Sequence, residues 1–385
     1  AATPHRVAPL AGPRADRTRP TTFPSARLPI LRRPADRSHP QTSFSNYDSA
    51  DQQRLDGHVL RDLDLEAKRS TPRAMLSAIS AAKNELTDPD SYASAAAGNR
   101  HNEVVADIYR EYQRRLALAN AVDFDDLISH TVALLQTFPE VAEHYRRRFR
   151  HILVDEYQDT NHAQYVLIRE LVGAGSSDLP AGQLCVVGDA DQSIYAFRGA
   201  TIRNIEEFER DFPSARTILL EQNYRSTQNI LSAANAVIAN NPGRRPKNLW
   251  TAAGDGPAIT AHVADDEAGE AAFVAKEIDR LADDHAVVPS DVAVFYRTNA
   301  QSRALEEVLI RVGLPYRVVG GVRFYERREV RDALAYLRLI ANPEDDVSCR
   351  RVLNTPRRGI GDRAQAAVEA VSYTHLTLPT NVSMC

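Results

Sequence analysis

Residues 151–160 of the chain read H-I-L-V-D-E-Y-Q-D-T, and this stretch indicates the fold. Three apolar residues, from Ile152 to Val154, end abruptly at two acids, Asp155 and Glu156. A short apolar run bounded by polar residues predicts a fully buried strand of a parallel sheet. Open α/β sheets bind their ligands outside the carboxyl ends of the strands, which is where these two acids stand.

Two adjacent carboxylates at such an edge can have different roles in the hydrolysis of a nucleotide. One holds Mg²⁺ through its water shell, and the other takes a proton from an attacking water. For an isolated acid pair, a plain acidic turn is the alternative. Here D-E-Y-Q-D-T resembles the Walker B box (motif II) of superfamily 1 DNA helicases of the UvrD/PcrA/Rep type. The resemblance implies that Asp155 holds Mg²⁺ and that Glu156 is the catalytic base.

A second buried strand is predicted at 184–187, and it opens onto G-D-A-D-Q-S-I-Y-A-F-R-G-A at 188–200. Gln192 can hydrogen-bond a γ-phosphate or the attacking water. Tyr195 and Phe197 alternate on one edge, as a base-stacking platform requires, and Arg198 can pair with phosphate or a carboxylate. The alternative is a turn capped by Gln192 and followed by core aromatics.

The string at 188–200 resembles motif III of the same helicases, with Phe197 where many relatives carry Trp. The resemblance implies that Gln192 senses the γ-phosphate and that Tyr195, Phe197 and Arg198 contact DNA. Phe still stacks, with less area than Trp and no N–H donor.

A third strand is predicted at 217–220, followed by E-Q-N-Y-R-S-T at 221–227, which resembles motif IV. Ser226 or Thr227 then caps a helix at 228–240. The resemblance implies that Tyr224 stacks on adenine and that Arg225 reaches the γ-phosphate as an arginine finger in cis. A surface salt bridge is the alternative for Arg225.

Beyond residue 241 the chain predicts a second α/β unit, with a helix at 269–283 and a strand at 292–296. The strings at 297–309 and 320–339 resemble the second RecA-like domain of these helicases. Candidate contacts to single-stranded DNA are Arg297, Asn299 and Arg303, for which a solvated helix start is the alternative.

Residues 44–138 predict a helical subdomain. Apolar residues recur with helical spacing at 72–85 and 102–119, and D-F-D-D-L-I opens a third helix at 123–137. The resemblance implies that this subdomain is inserted into the first RecA-like domain. The arginine run at 146–150 predicts a solvated helix face, with a phosphate contact as the alternative.

Composition indicates a soluble globular chain. The 385 residues include 43% hydrophobic and 25% charged residues, and the net charge of -4 disfavours nucleic-acid binding by bulk charge alone. The three cysteines lie far apart, which predicts neither a disulfide framework nor a metal site and favours a cytoplasmic location. No apolar run reaches membrane-spanning length.

The two ends differ in composition from the rest. Residues 1–43 and 371–385 lack an apolar period, so neither end is expected to pack on the core. The phosphate-binding string G-x-x-x-x-G-K-[ST] occurs nowhere in the sequence. The chain is therefore expected to be a fragment that is inactive by itself.

The combined prediction is an α/β protein with two RecA-like parallel-sheet domains, the first incomplete, and a helical insertion subdomain. The resemblance implies an ATP-dependent 3′–5′ DNA helicase with ATP and Mg²⁺ as cofactors. Its partners would be single-stranded DNA, duplex junctions and repair or replication proteins, and no membrane. The predicted segments are a non-homologous or disordered tail (1–43), the helical insertion (44–138), part of the first RecA-like domain (139–220), the second (221–345), the start of a second helical insertion (346–370) and a foreign tail (371–385).

Two other functions compete with this one. The chain could be the helicase part of an AddA/RecB-like helicase–nuclease, which a nuclease domain would reveal. It could also be a non-enzymatic protein that binds DNA or a partner and has lost the phosphate loop.

Overall fold

The computed structural model describes residues 44–65, 71–196, 200, 203–241, 247–319 and 328–361, together with positions 9, 12, 21–23, 30–31, 364 and 367. The chain forms two compact units. Ala1–Arg216 and Arg331–Cys385 make up the first, and Thr217–Val330 makes up the second. No helix in the described part of the chain is long and apolar enough to cross a membrane.

The first unit begins with a helical part. Four polar side chains, those of Asp48, Thr71, Asp88 and Asn99, each accept backbone N–H groups of the helix that follows. The predictions of helices at 72–85 and 102–119 are confirmed to within two residues at each end. The four helices are α1 (Ser49–Asp62), α2 (Pro72–Asn84), α3 (Pro89–Ala96) and α4 (Arg100–Leu118).

A short parallel pair of strands lies beside these helices. β1 (Ser45–Asn46) pairs with β2 (Ala121–Val122), and helices α5 (Asp126–Thr137) and α6 (Pro139–Arg148) follow. Helix α5 begins at Asp126 rather than at the predicted Asp123. The Asp123 carboxylate instead accepts the Asp126 N–H at 2.8 Å, outside the helix.

A buried ion cluster joins α2 to the start of α5. The Lys83 ammonium, 2% exposed, lies 2.7 Å from carboxylate oxygens of both Asp123 and Asp126. The Tyr112 hydroxyl also donates to Asp123, at 3.1 Å. Burial alone lowers the pKa of Lys83, but Asp126 and Asp123 raise it above its ordinary value. Burial raises the pKa of Asp123 to about 6, against the opposing effect of Lys83.

We predict that Lys83→Met lowers the free energy of unfolding by about 3–5 kcal/mol, because it leaves two carboxylates buried without their cation. Urea denaturation of the whole chain measures the loss. The matched control is Arg110→Met, which removes an exposed arginine beside Asp90 and should cost less than about 1 kcal/mol. Equal losses for the two variants would contradict a dominant role of the buried cluster.

A second buried acid lies on α1. Asp56 is 0% exposed, and neither carboxylate oxygen accepts a hydrogen bond from any described residue. Burial raises the pKa of Asp56 to about 7. The folded chain therefore binds this proton more tightly than the unfolded chain does. The stability that Asp56 contributes is complete below its ordinary pKa of 3.8 and is lost as the pH rises to about 7.

Asp56→Asn is accordingly expected to have little effect on the melting temperature at pH 4 and to raise it at pH 8, by at least about 2 °C. The neutral amide carries no charge to bury at either pH. Differential scanning fluorimetry at the two pH values measures the difference. Asp107→Asn, which changes an exposed acid on α4, serves as the control. An equal gain at both pH values would show that Asp56 does not titrate in this range.

The sheet of the first unit contains β3 (His151–Val154) and β4 (Gln183–Val186), which pair in parallel with Val154 opposite Val186. Helix α7 (His162–Val172) connects them and begins with a capping box between Asn161 and Gln164. Helix α8 (Arg203–Asp211) follows. The apolar residues of α5, α6 and α7 enclose the core beside Val154.

The expectation of a fully buried strand at 152–154 is wrong. Val154 is buried, but Leu153 is 78% exposed. Successive side chains of a strand point to opposite faces of the sheet. Among the described residues, the helices cover the face to which Val154 belongs.

The expectation that residues 1–43 do not pack on the core is wrong at two described positions. Ile30 is 4% exposed and belongs to the core beside Val154, and Phe23 packs against the same cluster. Single apolar side chains such as these can pack on the core even where the surrounding sequence has no periodic apolar pattern.

The second unit contains α9 (Gln228–Ile238), α10 (Glu267–His285) and α11 (Ser302–Val312), so the helices predicted at 228–240 and 269–283 are confirmed. Thr227 occupies the N-cap position of α9, but its hydroxyl has no hydrogen-bond partner among the described residues. The carbonyls of Gly254 and Asp255 accept the N–H groups of the first turn instead. The prediction of a side-chain cap at Ser226 or Thr227 is therefore wrong.

The strands predicted at 217–220 and 292–296 are wrong. In the described part of the second unit, the pairing is limited to one isolated parallel bridge, between Gln222 and Trp250. Leu220 is 80% exposed and Phe295 is 92% exposed. An apolar run becomes a strand only where a neighbouring strand pairs with it and a layer covers its side chains.

The chain returns to the first unit along α12 (Arg328–Ala341), which is followed by α13 (Asp346–Val352). Arg331 pairs with Asp48 at 3.1 Å, and Arg338 pairs with Asp51 at 2.6 Å. Both acids form the capping box of α1. These two ion pairs fix α12 to the start of α1.

Candidate functional site

The candidate site of the first unit begins where β3 ends. Hydrogen bonds continue the strand pairing by two steps, from Val187 N to Val154 O (2.8 Å) and from Tyr157 N to Val187 O (3.0 Å). Asp155 and Glu156 lie between them with exposed side chains. The structure thus places both predicted acids at the carboxyl edge of the sheet.

Glu156 has an unusual backbone. Its φ of 52° and ψ of 44° lie in the left-handed region, which costs a residue other than glycine roughly 1–2 kcal/mol. The Asp155 carboxylate accepts the Glu156 N–H at 3.0 Å. Strain of this kind persists only where the surroundings enforce it.

Gln158 lies beneath the two acids in a 3₁₀ turn, Tyr157–Asp159. Its side chain is 1% exposed, and its amide nitrogen donates to Glu156 Oε2 at 2.7 Å. Its amide oxygen accepts the Asp189 N–H at 2.9 Å. The two opposite contacts fix which end of the amide is nitrogen and which is oxygen.

Asp189 organises the loop that follows β4. One of its carboxylate oxygens accepts the Gln192 side-chain amide at 2.7 Å, and the other accepts the Asp191 N–H at 2.9 Å. Gln192 is exposed in a 3₁₀ turn, Ala190–Gln192. Gln192 therefore lies at the same edge of the sheet as Asp155 and Glu156.

Gly188 allows this loop to approach Gln158. A Cβ atom at position 188 would lie 2.8 Å from Gln158 Oε1 and 3.2 Å from Gln158 N. A side chain there would displace the buried amide. The glycine is therefore required by a close approach between the two loops.

Two further buried amides hold the site to its surroundings. Asn204 of α8 is 0% exposed and donates to the carbonyl and the hydroxyl oxygen of Thr160, at 2.8 and 3.0 Å. Asn161 donates to Asn84 at the end of α2, at 2.7 Å.

The pKa of Asp159, the last residue of the 3₁₀ turn, is raised above its ordinary value. Burial is the larger cause, and the negative charge of Glu156 is the second.

Sequence analysis missed Gln158, Asp189, Gly188 and Asn204 as parts of this site. The first three lie within the quoted strings and are polar residues or a glycine at strand ends, which is the signal that could have identified them. Asn204 follows the string by a few residues and carries no comparable signal.

The predicted DNA contacts are only partly described. Tyr195 lies on the same loop as Gln192 and is half-buried. Phe197 and Arg198 lie outside the described residues. Two arginines of the run at 146–150 make contacts within the protein: Arg146 donates to the Glu170 carbonyl at 2.7 Å, and Arg150 donates to the Ala181 carbonyl at 2.9 Å.

The second unit carries its own predicted residues. The Asn223 side chain accepts the N–H groups of Arg225 and Ser226, at 2.9 and 2.7 Å, which forms a turn that presents exposed Tyr224 and Arg225 side chains. Arg297 is exposed, and Arg303 pairs with Glu307 at 2.9 Å. The side chain of Asn299 lies outside the described residues.

Two family models match the chain. The UvrD/REP helicase N-terminal domain matches residues 4–213, and the UvrD-like helicase C-terminal domain matches residues 218–380. The first match alone covers more than half of the chain.

The chain belongs to the UvrD/REP helicase family. The resemblance found in the motif strings is thereby confirmed. The matched ranges also include residues 4–43 and 371–380, which lie in the segments predicted as tails.

Curated relatives agree with the UvrD/REP assignment. The chain is 63% identical over 370 residues to an ATP-dependent DNA helicase UvrD1 of Mycobacterium tuberculosis, an alignment that covers 94% of this chain and 48% of the relative. It is 49% identical over 356 residues to the ATP-dependent DNA helicase PcrA of Bacillus subtilis, with 92% and 47% covered. The chain spans about half the length of the curated relatives it matches.

The close approach at Gly188 generates a prediction for this UvrD/REP chain. Gly188→Ala should lower the free energy of unfolding by about 1–3 kcal/mol, because the added methyl group overlaps the buried Gln158 amide. Urea denaturation measures the loss. Gly361→Ala is the matched control, since a Cβ there meets nothing within 4 Å. A Gly188→Ala variant as stable as the Gly361→Ala variant would contradict the described contact.

Proposed function

We propose that this chain is part of an ATP-dependent 3′–5′ DNA helicase or translocase of the UvrD/PcrA type. Such a protein couples ATP hydrolysis to movement along single-stranded DNA in repair or replication. The observation that carries the proposal is the common edge of β3 and β4, where Asp155, Glu156 and Gln192 lie together. Family membership and the names of the relatives support it.

The acids of this edge suit a nucleotide with a divalent cation. An exposed carboxylate on Asp155 offers the hard oxygen donor that Mg²⁺ prefers, and Mg²⁺ commonly takes one or two carboxylates together with phosphate oxygens. Bound Mg²⁺ neutralises charge on the phosphates. The Asp155 side chain would hold the cation, and Glu156 would take a proton from the attacking water.

Gln192 would detect the γ-phosphate from the same edge. Its amide is exposed and donates to Asp189, so it can exchange that contact for one to a phosphate oxygen. In the second unit, Tyr224 would stack on adenine and Arg225 would stabilise the developing charge on the phosphates. Both side chains are exposed on the turn formed by Asn223.

DNA contacts are proposed for two sets of residues. Aromatic side chains can stack on bases, and arginines can pair with phosphates. The set that follows β4 comprises Tyr195, Phe197 and Arg198, and the set in the second unit comprises Arg297, Asn299 and Arg303.

The domain organisation extends the same proposal. Residues 139–220 and 221–345 would belong to two RecA-like domains, and residues 44–138 would form a helical insertion in the first. Residues 346–370 would start a second insertion. The small parallel sheets and mixed helix and strand content are consistent with this organisation.

The chain by itself is proposed to turn over ATP slowly. The string G-x-x-x-x-G-K-[ST] is absent from its sequence. That string supplies backbone N–H donors, a lysine and a metal-binding hydroxyl to the phosphates. Activity is therefore best tested in a longer protein, a chimera in which residues 44–361 replace the matching segment of the M. tuberculosis relative.

In this chimera, Glu156→Gln should lower ATP turnover by about 10²–10⁴-fold and leave ATP affinity nearly unchanged, because the amide cannot accept a proton as the carboxylate does. Asp155→Asn should weaken ATP affinity as well, and Arg225→Ala should mainly lower turnover. ATP affinity and turnover are measured separately, with single-stranded DNA present.

The control for these variants is Glu143→Gln, which changes an exposed acid paired with Arg147 on α6. It should behave like the parent chimera. Parental turnover in Glu156→Gln would show that Glu156 is not the base.

A further inference from the structure

The Glu156 carboxylate is held in place by a hydrogen bond from the buried Gln158 side chain. The carboxylate is exposed, and the Glu156 backbone is strained, so an ordered direction for the side chain requires a fixed partner. The partner is the Gln158 amide nitrogen, 2.7 Å from Glu156 Oε2. A charge-assisted hydrogen bond of this length is stronger than a neutral one.

Gln158 is itself immobilised. Its side chain is 1% exposed, so its rotamer is fixed by packing as well as by hydrogen bonds. Its amide oxygen accepts the Asp189 N–H at 2.9 Å, and the loop after β4 approaches so closely that a Cβ atom at Gly188 would lie 2.8 Å from Gln158 Oε1. The position of the amide therefore depends on where the loop after β4 lies.

That loop also carries Gln192. The Asp189 carboxylate accepts a hydrogen bond from the Gln192 side-chain amide at 2.7 Å, and the Asp189 backbone N–H donates to the Gln158 amide oxygen. A continuous chain of hydrogen bonds thus runs from Glu156 through Gln158 and Asp189 to Gln192. Hydrogen bonds in such a chain polarise and orient one another.

We propose that Gln158 is a positioning residue that orients the Glu156 carboxylate and links it to the loop carrying Gln192. This inference rests on the proposed function of Glu156 as a base. Gln158 contacts neither water nor phosphate in this role and acts through Glu156. A movement of Gln192 toward a γ-phosphate is transmitted to Glu156 through the hydrogen bonds of Asp189 and Gln158.

The hydrogen bonds are tested first in the whole chain. Gln158→Met keeps the length of the side chain and removes both hydrogen bonds. It should accelerate hydrogen exchange at the Asp189 N–H by at least about tenfold, since that group loses its acceptor. Gln164→Met is the control. It removes a side-chain amide whose oxygen accepts the Asn161 N–H at 3.3 Å in the capping box of α7. Unchanged exchange at Asp189 in Gln158→Met would overturn the proposal.

The positioning role is tested in the chimera described above. Gln158→Met should lower kcat for ATP by about 10–100-fold, as the loss of an orienting partner commonly does, and should change KM for ATP by less than about twofold. Gln164→Met should match the parent. In a Glu156→Gln background, Gln158→Met should cause no further loss, because the residue it orients has already been replaced.

The outcomes separate this proposal from the proposed function. A parental kcat in Gln158→Met, or a full additional loss in the Glu156→Gln background, would overturn the positioning role while leaving Glu156 as the base. Parental turnover in Glu156→Gln alone would overturn the function of the site and the positioning role with it.

Discussion

The parallel pairing of β3 with β4 is the constraint on which the candidate site depends. It sets Val154 opposite Val186 and ends both strands at one edge. Two more hydrogen bonds extend the pairing into the following loops, through Val187 and Tyr157. A shift of one residue would turn every side chain of the strand to the other face. The two acids and the glutamine loop therefore meet only in this register.

Buried polar groups, rather than apolar packing alone, fix the surroundings of this edge. Gln158 and Asn204 are almost completely buried, and each makes hydrogen bonds to a neighbouring segment. The contact between Asn84 and Asn161 joins the helical part to the turn that follows the acids. Such contacts are directional, so they specify positions that apolar contacts would leave free.

Sequence analysis predicted the helices well, because their signals are local. The apolar spacing that predicted the helix at 72–85 is a pattern within one segment. It failed for the strands at 217–220 and 292–296, because an apolar run does not reveal whether another strand pairs with it. The two motif strings correctly pointed to one edge of a sheet. The link from Gln158 to Asp189 crosses 31 positions of sequence and becomes visible only in the fold.

The exposed apolar side chains have a consequence for the behaviour of this chain in solution. Leu153 on β3, Leu220 and Phe295 are each more than three-quarters exposed. Leu153 stands on a strand of a sheet that has two strands among the described residues, so each strand has one edge without a strand partner there. Apolar surface next to open strand edges promotes self-association. Self-association of the chain is therefore expected to increase with its concentration, as copies pair along these strand edges.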